Sequence, residues 1–210
     1  MDIIPFDVDY WKKRFLRNYE DNIIYFIDDK KHFDRSPIFK SASKVFNNRG
    51  YLKKEEFISI GVLRAPRARK WFMENSEEEI RDISKKIIKN NSTEEMINYL
   101  TKLKGVGTPV ATTVITVLNP EKYCTYSFRS LRTLIWLNNN LKNYKDYHQS
   151  LELIRNKNIE GYKKYLKKLK NLRKNNENTL RELEIALEEY DKNQGKKPSK
   201  IQQKIEDFIN

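Results

Sequence analysis

Cysteine and histidine are almost absent from this sequence, which holds one Cys and two His among its 210 residues. A single cysteine, Cys124, excludes a disulfide within the chain and is typical of a reducing compartment. With only His32 and His148 beside it, a zinc site built from His and Cys ligands is not expected. We therefore expect an intracellular protein, in the cytoplasm or nucleoid or in a nucleus.

Glycine and proline are scarce too, at 6 residues each. A turn-dense all-β fold needs more of both, whereas the abundant Lys, Glu and Leu favour helices. No apolar run approaches the roughly 20 residues that cross a bilayer, and the stretch from Met1 to Tyr10 lacks the cationic start of a secretion signal. These absences predict an all-α protein that does not enter the membrane, with residues 1–210 forming a single domain.

Acidic residues are outnumbered, since 42 Lys and Arg against 29 Asp and Glu give a net charge of +13. The excess is concentrated towards the C-terminus, where residues 141–175 carry 11 Lys or Arg against 3 acids. Such an excess predicts an electrostatic partner, either nucleic acid or an anionic membrane surface. A run of charge is also typical of a plain solvated helix face, so charge alone does not choose between these interpretations.

Apolar spacing and capping signals predict helices along most of the chain. One helix is predicted from Pro5 to Ile27, followed by a charged loop over Asp28 to Arg35 and a short helix over Phe39 to Phe46. A Ser or Thr followed three residues later by Glu marks a helix start, and such pairs occur at Ser76 and Glu79, Ser92 and Glu95, and Thr179 and Glu182.

Two helices have a predicted inward face, and the chain ends in basic helices over 141–210, of which the last begins at Ser199. The first inward face consists of Leu52, Phe57, Ile60 and Leu63. The second, on a basic helix, consists of Tyr162, Tyr165, Leu166, Leu169 and Leu172.

The most informative stretch is TKLKGVGTPVATTVITVL, residues 101–118. Two apolar segments flank Gly105-Val106-Gly107, and Pro109 suits the first turn of a new helix, where a missing N–H costs nothing. The pattern predicts a helix, a hairpin turn and a second helix over 93–118. Glycines permit positive φ and a close backbone approach, and the free N–H groups at the second helix start suit a phosphate. The alternative is an ordinary tight turn between packed helices.

Basic and aromatic residues precede this hairpin in the segment RAPRARKWF, residues 64–72. Four cationic side chains stand there beside Trp71 and Phe72, a combination that can hold a nucleic-acid backbone or stack a base. The alternative is a solvated basic turn that two core aromatics anchor.

From about Tyr51 to Leu137, under half of the chain, the order of these features resembles the helix-hairpin-helix family of base-excision DNA glycosylases. The pattern L-x-G-V-G followed by small and β-branched residues is similar to the hairpin element of that family. Its core positions are occupied here by Leu100, Leu103, Val106 and Ala111. The segment YCTYSFRSL, Tyr123 to Leu131, stands where the family has the short catalytic segment that opens the next helix.

The resemblance implies two helical lobes around a cleft, in a protein that acts on double-stranded DNA in base-excision repair. We expect a monomer. In the family the hairpin holds a phosphate beside the lesion, and the target base is flipped into a pocket in the cleft. The DNA-binding residues implied by position are Gly105, Val106, Gly107, Val110, Arg64, Arg67 and Arg129. The pocket candidates are Tyr123 and Tyr126, for which core packing is the alternative. The backbone carbonyls implied to hold a monovalent cation are those of Thr101, Leu103 and Val106, and no other cofactor is expected.

Two positions depart from the family pattern. Pro109 stands where lyase members carry a catalytic Lys, so a Schiff-base step is not expected. Ser127 stands at the position of the catalytic Asp, and its neutral hydroxyl lacks the charge that stabilises an oxocarbenium-like transition state. Ser127 also suits a helix N-cap. The acids considered as substitutes are Glu55, Glu56 and Glu121.

Three hypotheses follow from the sequence. The first is a monofunctional DNA glycosylase that flips a damaged or modified base and hydrolyses its N-glycosidic bond. The second is a non-catalytic helix-hairpin-helix DNA-binding protein that has lost the catalytic Asp. The third, an RNA-binding or membrane-surface helical protein, explains the net charge of +13 but not the hairpin.

Overall fold

The computed structural model describes residues 8–19, 24–27, 30–33, 39–139, 158–173 and 178–194. Most of these residues are helical, which confirms the all-α prediction in its main feature for the described part of the chain. In chain order the helices are α1 Val8–Tyr19, α2 Lys40–Arg49, α3 Lys54–Arg64, α4 Arg69–Met73, α5 Glu77–Ile88, α6 Thr93–Leu100, α7 Thr108–Leu118, α8 Phe128–Asn139, α9 Ile159–Arg173 and α10 Leu180–Gln194, with a short 3-10 turn, Pro66–Ala68, between α3 and α4.

One antiparallel strand pair departs from the helical pattern. Strand β1, Ile24–Ile27, pairs with β2, Lys30–Phe33, in a register that places Ile24 opposite Phe33. The predicted helix that starts at Pro5 is therefore wrong over residues 24–27, and the predicted loop contains β2. The reason lies in composition, because the β-branched and aromatic residues that fill 23–27 favour extended backbone.

Helix α7 is buried on every side from Val110 to Leu118. Helices α2, α3 and α6 pack around it. Small and β-branched residues are poor formers of an isolated helix, so close packing stabilises α7. Its buried threonines satisfy their hydroxyls within the helix: those of Thr112 and Thr113 donate to Pro109 O at 2.9 Å, and that of Thr116 donates to Thr112 O at 2.6 Å.

Helix α10 is the second helix that the fold encloses. Helices α1, α8 and α9 pack on it, and every residue from Leu180 to Leu187 is buried. Trp11 of α1 is only 1% exposed and meets the Tyr190 ring edge-on, with ring centres 5.2 Å apart. One hydrophobic cluster includes residues from α2 through α10, so both enclosed helices share a core.

The predicted helix starts at Ser76 and Thr179 are confirmed. The Ser76 hydroxyl accepts from Glu79 N–H at 3.1 Å, while the Glu79 carboxylate accepts from Ser76 N–H at 2.7 Å. Thr179 and Glu182 form the same reciprocal pair at 3.0 and 2.7 Å. At Ser92 only half of the pair forms: its hydroxyl caps α6, but its N–H donates to a neighbouring asparagine side chain at 2.7 Å.

Two residues of the predicted inward faces lie outside the core. Leu63 is 45% exposed and Leu172 is 42% exposed, whereas the other members of both faces are buried. Each stands in the last turn of its helix, beyond the turns that pack. The helix predicted to begin at Ser199 lies outside the described residues.

None of the described helices combines the length and the apolar composition that spanning a bilayer requires. The arrangement of two lobes around a cleft stays a prediction.

Candidate functional site

The turn between α6 and α7 places its two glycines in different backbone conformations. Gly105 has a φ of +80°, in the left-handed region. A Cβ there would also lie 2.9 Å from Trp71 Cβ and 3.1 Å from Phe72 Cδ1, closer than packing allows. Gly107 has extended backbone, with φ −95° and ψ 176°, and a Cβ there would meet only Pro109 Cδ at 3.8 Å. The fold therefore requires glycine at position 105 but not at position 107.

Gly107 is the N-cap residue of α7 and leaves the helix start open. Its conformation is the one that Ser, Asp and Asn adopt when they cap a helix, yet no side-chain hydrogen bond caps α7. Among the described residues, the backbone N–H groups of Gly105, Gly107 and Thr108 have no hydrogen-bond partner. Val110, a predicted DNA-binding position, instead uses its N–H to donate to Gly107 O at 3.0 Å. The available donors are thus those of the turn and of the first residue of α7.

A buried asparagine holds this turn in place. Asn75, 3% exposed, accepts a hydrogen bond from Lys104 N–H at 2.7 Å and donates one to Lys104 O at 3.1 Å. Its side-chain amide also donates to Phe72 O, in α4, at 3.0 Å. The Asn75 side chain therefore accepts through its oxygen and donates through its nitrogen. These hydrogen bonds fix the backbone of the turn, which carries the open donors, to the core.

The surface around the turn is basic and carries an exposed tryptophan. Trp71 is 44% exposed, with Lys70 Nζ 4.6 Å from its ring centre, whereas Phe72 is completely buried. Arg67 is exposed on the 3-10 turn, and Lys104 is exposed in the turn between α6 and α7. The sequence leaves two interpretations of residues 64–72. Phe72 is a core anchor, as the second interpretation expects, whereas Trp71 is an exposed ring beside positive charge, as the first expects.

Two of the three carbonyls predicted to hold a cation are open. Leu103 O accepts from Val106 N–H at 3.2 Å, whereas the carbonyls of Thr101 and Val106 accept no hydrogen bond from any described residue. Unpaired carbonyls near a helix end suit a hard cation. Within the described part of the chain, no group of three or more His, Cys, Asp or Glu side chains could hold a metal ion. The monovalent cation stays a prediction.

A short series of hydrogen bonds joins the start of α7 to the segment before α8. The Thr112 hydroxyl donates to Pro109 O at 2.9 Å and accepts from Tyr126 N–H at 3.0 Å. The carbonyl of Tyr126 accepts a second hydrogen bond, from the Arg64 side chain at 2.8 Å. Arg64, predicted to contact DNA, is half-buried and holds this backbone in place.

The two tyrosines predicted to line a base pocket lie in the core. Tyr123 and Tyr126 are each 4% exposed. The Tyr126 ring packs against Tyr162 and Tyr165 of α9, with ring centres 5.7 and 5.4 Å away. Burial raises the pKa of Tyr126 to about 12. A flipped base would stack on Tyr126 only if this tyrosine cluster opened.

Ser127 connects α8 to α10. Leu131 N–H donates to the Ser127 carbonyl at 3.1 Å, which places Ser127 at the N-cap of α8 as predicted. Its hydroxyl, however, donates to Glu188 Oε1 of α10. Ser127 is 1% exposed, whereas Glu188 is partly exposed. The family resemblance expects a carboxylate at position 127, and a carboxylate from α10 contacts the side chain that stands there. Arg129, two residues further on, is exposed.

One turn earlier on the same face of α10, Glu184 is completely buried. Its Oε2 accepts from Arg181 Nη1 and from Thr125 N–H, the latter at 3.3 Å, while Oε1 has no partner among the described residues. Burial raises the pKa of Glu184 to about 7; the guanidiniums of Arg181 and Arg64 oppose this rise, and the carboxylate of Glu188 adds to it. Near neutral pH this carboxyl is therefore partly protonated.

The three acids considered as substitutes for the missing Asp have other roles. Glu56 is buried, accepts from Lys53 N–H at 2.8 Å and pairs with Arg49. Glu121 is exposed and pairs with Arg173 at 3.3 Å. Glu55 is exposed in the first turn of α3. The acid that meets Ser127 is one that sequence reasoning missed.

Sequence reasoning also missed Asn75, Thr112 and Glu184. The first two leave no local signal, because the contacts that matter here, Asn75 with Lys104 and Thr112 with Tyr126, join separate parts of the chain. The acids of α10 leave none either: the helix reads LRELEIALEEY over 180–190, and its charged residues occupy one side, as they do in a helix that presents a solvated face. Glu184 and Glu188, four residues apart, lie on one side of such a helix.

Stability should depend on pH through Glu184. Because folding raises the pKa of this carboxyl from 4.5 to about 7, its contribution to stability is fully present below pH 4.5 and is lost as the pH rises through 7. We expect Glu184→Gln to remove this part of the pH dependence, on the order of 1–3 kcal/mol. Urea unfolding of wild type and variant, near pH 4.5 and again well above pH 7, measures it.

Glu78→Gln, at an exposed position of α5, is the control and should retain the wild-type pH dependence. An equal fall of stability with pH in wild type and Glu184→Gln would contradict the raised pKa.

The two glycines of the turn should respond oppositely to substitution. We expect Gly105→Ala to destabilise the protein by about 1–2 kcal/mol or more, because alanine is strained in the left-handed region and its Cβ would press on Trp71. We expect Gly107→Asp to retain or raise stability by roughly 0.5–1 kcal/mol, because the carboxylate would cap α7 at the positive end of its dipole. Urea unfolding measures both, and equal losses would show that the fold needs both glycines.

Comparison with known proteins adds no relative to these observations. No family model, no curated protein and no solved structure matches the chain. The functional argument therefore depends on the geometry of the chain's own residues.

Proposed function

We propose that the chain binds double-stranded DNA through the turn between α6 and α7, as a helix-hairpin-helix protein, and hydrolyses the N-glycosidic bond of a damaged or modified base. The observation that carries this proposal is the open start of α7. The N–H groups of Gly105, Gly107 and Thr108 have no partner among the described residues. Backbone donors at the positive end of a helix dipole form a site for a phosphate group.

The open helix start is informative because the fold alone would favour a capping side chain. Gly107 already has the extended backbone of a capping residue, so Ser or Asp there would accept from Val110 N–H, the third residue of α7. Glycine places no side chain beside the open donors and leaves room for an approaching backbone. An external phosphate would supply an acceptor for the N–H groups of Gly105, Gly107 and Thr108.

The surroundings of the turn also support a duplex backbone as the ligand. Lys163 of α9 pairs at 2.6 Å with Glu94, in the first turn of α6, so α9 lies beside the start of the helix whose other end leads into the turn. Lys164 and Lys167 of α9 are exposed. Exposed cations that neutralise phosphates supply affinity that does not depend on sequence. The net charge of +13 favours the same partner.

Hydrolysis is the second part of the proposal. The reaction requires a flipped nucleotide and a carboxylate near its sugar, and Ser127 at the family's Asp position is hydrogen-bonded to an acid of α10. Pro109, in the first turn of α7, offers no amine, so we propose a monofunctional enzyme that uses water and forms no Schiff base. The flipped base would enter a cleft between two helical lobes.

A second function, DNA binding without cleavage of any bond, is favoured by a separate observation. Ser127 is 1% exposed, and Tyr123 and Tyr126 are each 4% exposed. These side chains close the place where a base pocket is expected. A protein of this kind would recognise distorted or modified DNA through the turn, and release of free base distinguishes the two functions.

Gly107→Asp should weaken duplex binding although it leaves the fold intact. The new carboxylate would stand at the start of α7, beside the open donors, and repel a phosphate, so we expect affinity to fall about tenfold or more for every duplex sequence. Fluorescence anisotropy with labelled duplexes of two unrelated sequences, at two salt concentrations, measures this loss.

Asn48→Asp is the matched control because it adds the same charge at an exposed position of α2. That part of α2 adjoins the far end of α7, where Asn47 Nδ2 donates to Leu118 O at 2.8 Å. Its affinity should stay within about twofold of wild type. Equal weakening of both variants would mean that net charge determines affinity, and a flat salt dependence would argue against phosphate contacts.

Free base should appear when the protein is incubated with a suitable duplex. The panel carries one uracil, one alkylated purine or one oxidised purine per duplex, and mass spectrometry detects the released base. We expect release from at least one duplex, with no strand cleavage by β-elimination because Pro109 replaces the amine. Tight binding with no release from any duplex would identify the non-catalytic protein, and absence of duplex binding would contradict both functions.

A further inference from the structure

We propose that Glu188 of α10 supplies the carboxylate of the hydrolysis, with Ser127 as the residue that positions it. The inference rests on the proposed function and names the group that would face the sugar of the flipped nucleotide. In the helix-hairpin-helix resemblance this group comes from the segment that opens α8. Here it would come from a helix that lies about sixty residues further along the chain, as the separation of 61 positions between Ser127 and Glu188 shows.

The surroundings of the acids on α10 single out Glu188. Glu184 is completely buried and bonded to Arg181. Asp191 is held by Arg132 through two hydrogen bonds, one of them between Nε and Oδ1 at 2.9 Å. Glu188 is partly exposed and has a neutral partner, Ser127. Of these three acids it is therefore the one that reaches solvent without an arginine partner.

The contact with Ser127 leaves half of the carboxylate available. The hydroxyl donates to Oε1, and Oε2 accepts no hydrogen bond from any described residue. A donor on one oxygen fixes the orientation of the group, while the other oxygen is open to water or to the sugar. Ser127, at the position of the family's Asp, is then the hydrogen-bond donor that orients a carboxylate from another helix.

The reaction balances with water as the only added reactant. The N-glycosidic bond breaks, its electron pair leaves with the base, and the carboxylate of Glu188 stabilises the positive charge that develops on the deoxyribose. Water adds to C1′ and gives one proton to Glu188, which returns it to the departing base. The products are the free base and an abasic sugar with a hydroxyl group at C1′.

The test uses the full chain and the duplex panel with uracil, an alkylated purine or an oxidised purine. Glu188→Gln retains an acceptor for the Ser127 hydroxyl and removes the charge. We expect it to lower the rate of base release about 100-fold or more, while duplex affinity stays within about twofold because the turn is unchanged. Glu78→Gln, which removes a charge from exposed α5, should release base at the wild-type rate.

A second variant moves the carboxylate across the same contact. Ser127→Asp alone puts two carboxylates together, so we expect it to lower the melting temperature at neutral pH. Ser127→Asp combined with Glu188→Gln removes that repulsion and returns one carboxylate to the contact. We expect the double variant to have a higher melting temperature than Ser127→Asp. We also expect it to release base at least about tenfold faster than Glu188→Gln.

Three outcomes would overturn the assignment, and they differ from one another. Base release by Glu188→Gln at the wild-type rate would show that another group supplies the carboxylate, and the proposed function would stand. An unchanged melting temperature in Ser127→Asp would show that the two side chains do not meet. No release by wild type from any duplex would remove both the hydrolysis and the role of Glu188, while DNA binding would be decided by Gly107→Asp.

Discussion

Enclosure of a charged helix is the constraint on which the rest of the structure depends. Helix α10 is covered by α1, α8 and α9, and a charge that is removed from water needs a partner or a proton. Arg181 is the partner of Glu184, and Arg132 is the partner of Asp191. The first pair lies within α10, whereas the second requires α8 to bring Arg132 into register with α10. Glu188 differs from both, because its partner is the neutral hydroxyl of Ser127.

Helix α7 is also enclosed, but it carries no charged side chain and needs no ion pairs. Its buried threonines donate to its own backbone, and its open donors are confined to its exposed start. The two enclosed helices are joined through residues 123–127, where Tyr126 N–H bonds to Thr112 and Thr125 N–H bonds to Glu184. The proposed phosphate site and the proposed carboxylate are thus attached to one short segment of backbone.

Sequence reasoning predicts what depends on near neighbours. The capping pairs at Ser76 and Thr179 involve residues three positions apart, and both form. Spacing did not predict β1, because a periodic run of aromatic and β-branched residues satisfies helix and strand patterns alike. Nor does sequence show which of the two glycines has a positive φ or lies against Trp71 and Phe72, because both properties depend on how α4 packs beside the turn. The contact of Ser127 with Glu188 likewise depends on where α10 packs.

The link between Pro109, Thr112 and Tyr126 has a consequence for the energetics of association. Because these hydrogen bonds form as the chain folds, the turn and the segment that ends at Ser127 are aligned before any ligand arrives. The conformational entropy of that alignment is lost during folding and not a second time on binding. A ligand that docks on the turn meets preorganised donors, so its interaction energy there appears as affinity and is not consumed in ordering the backbone.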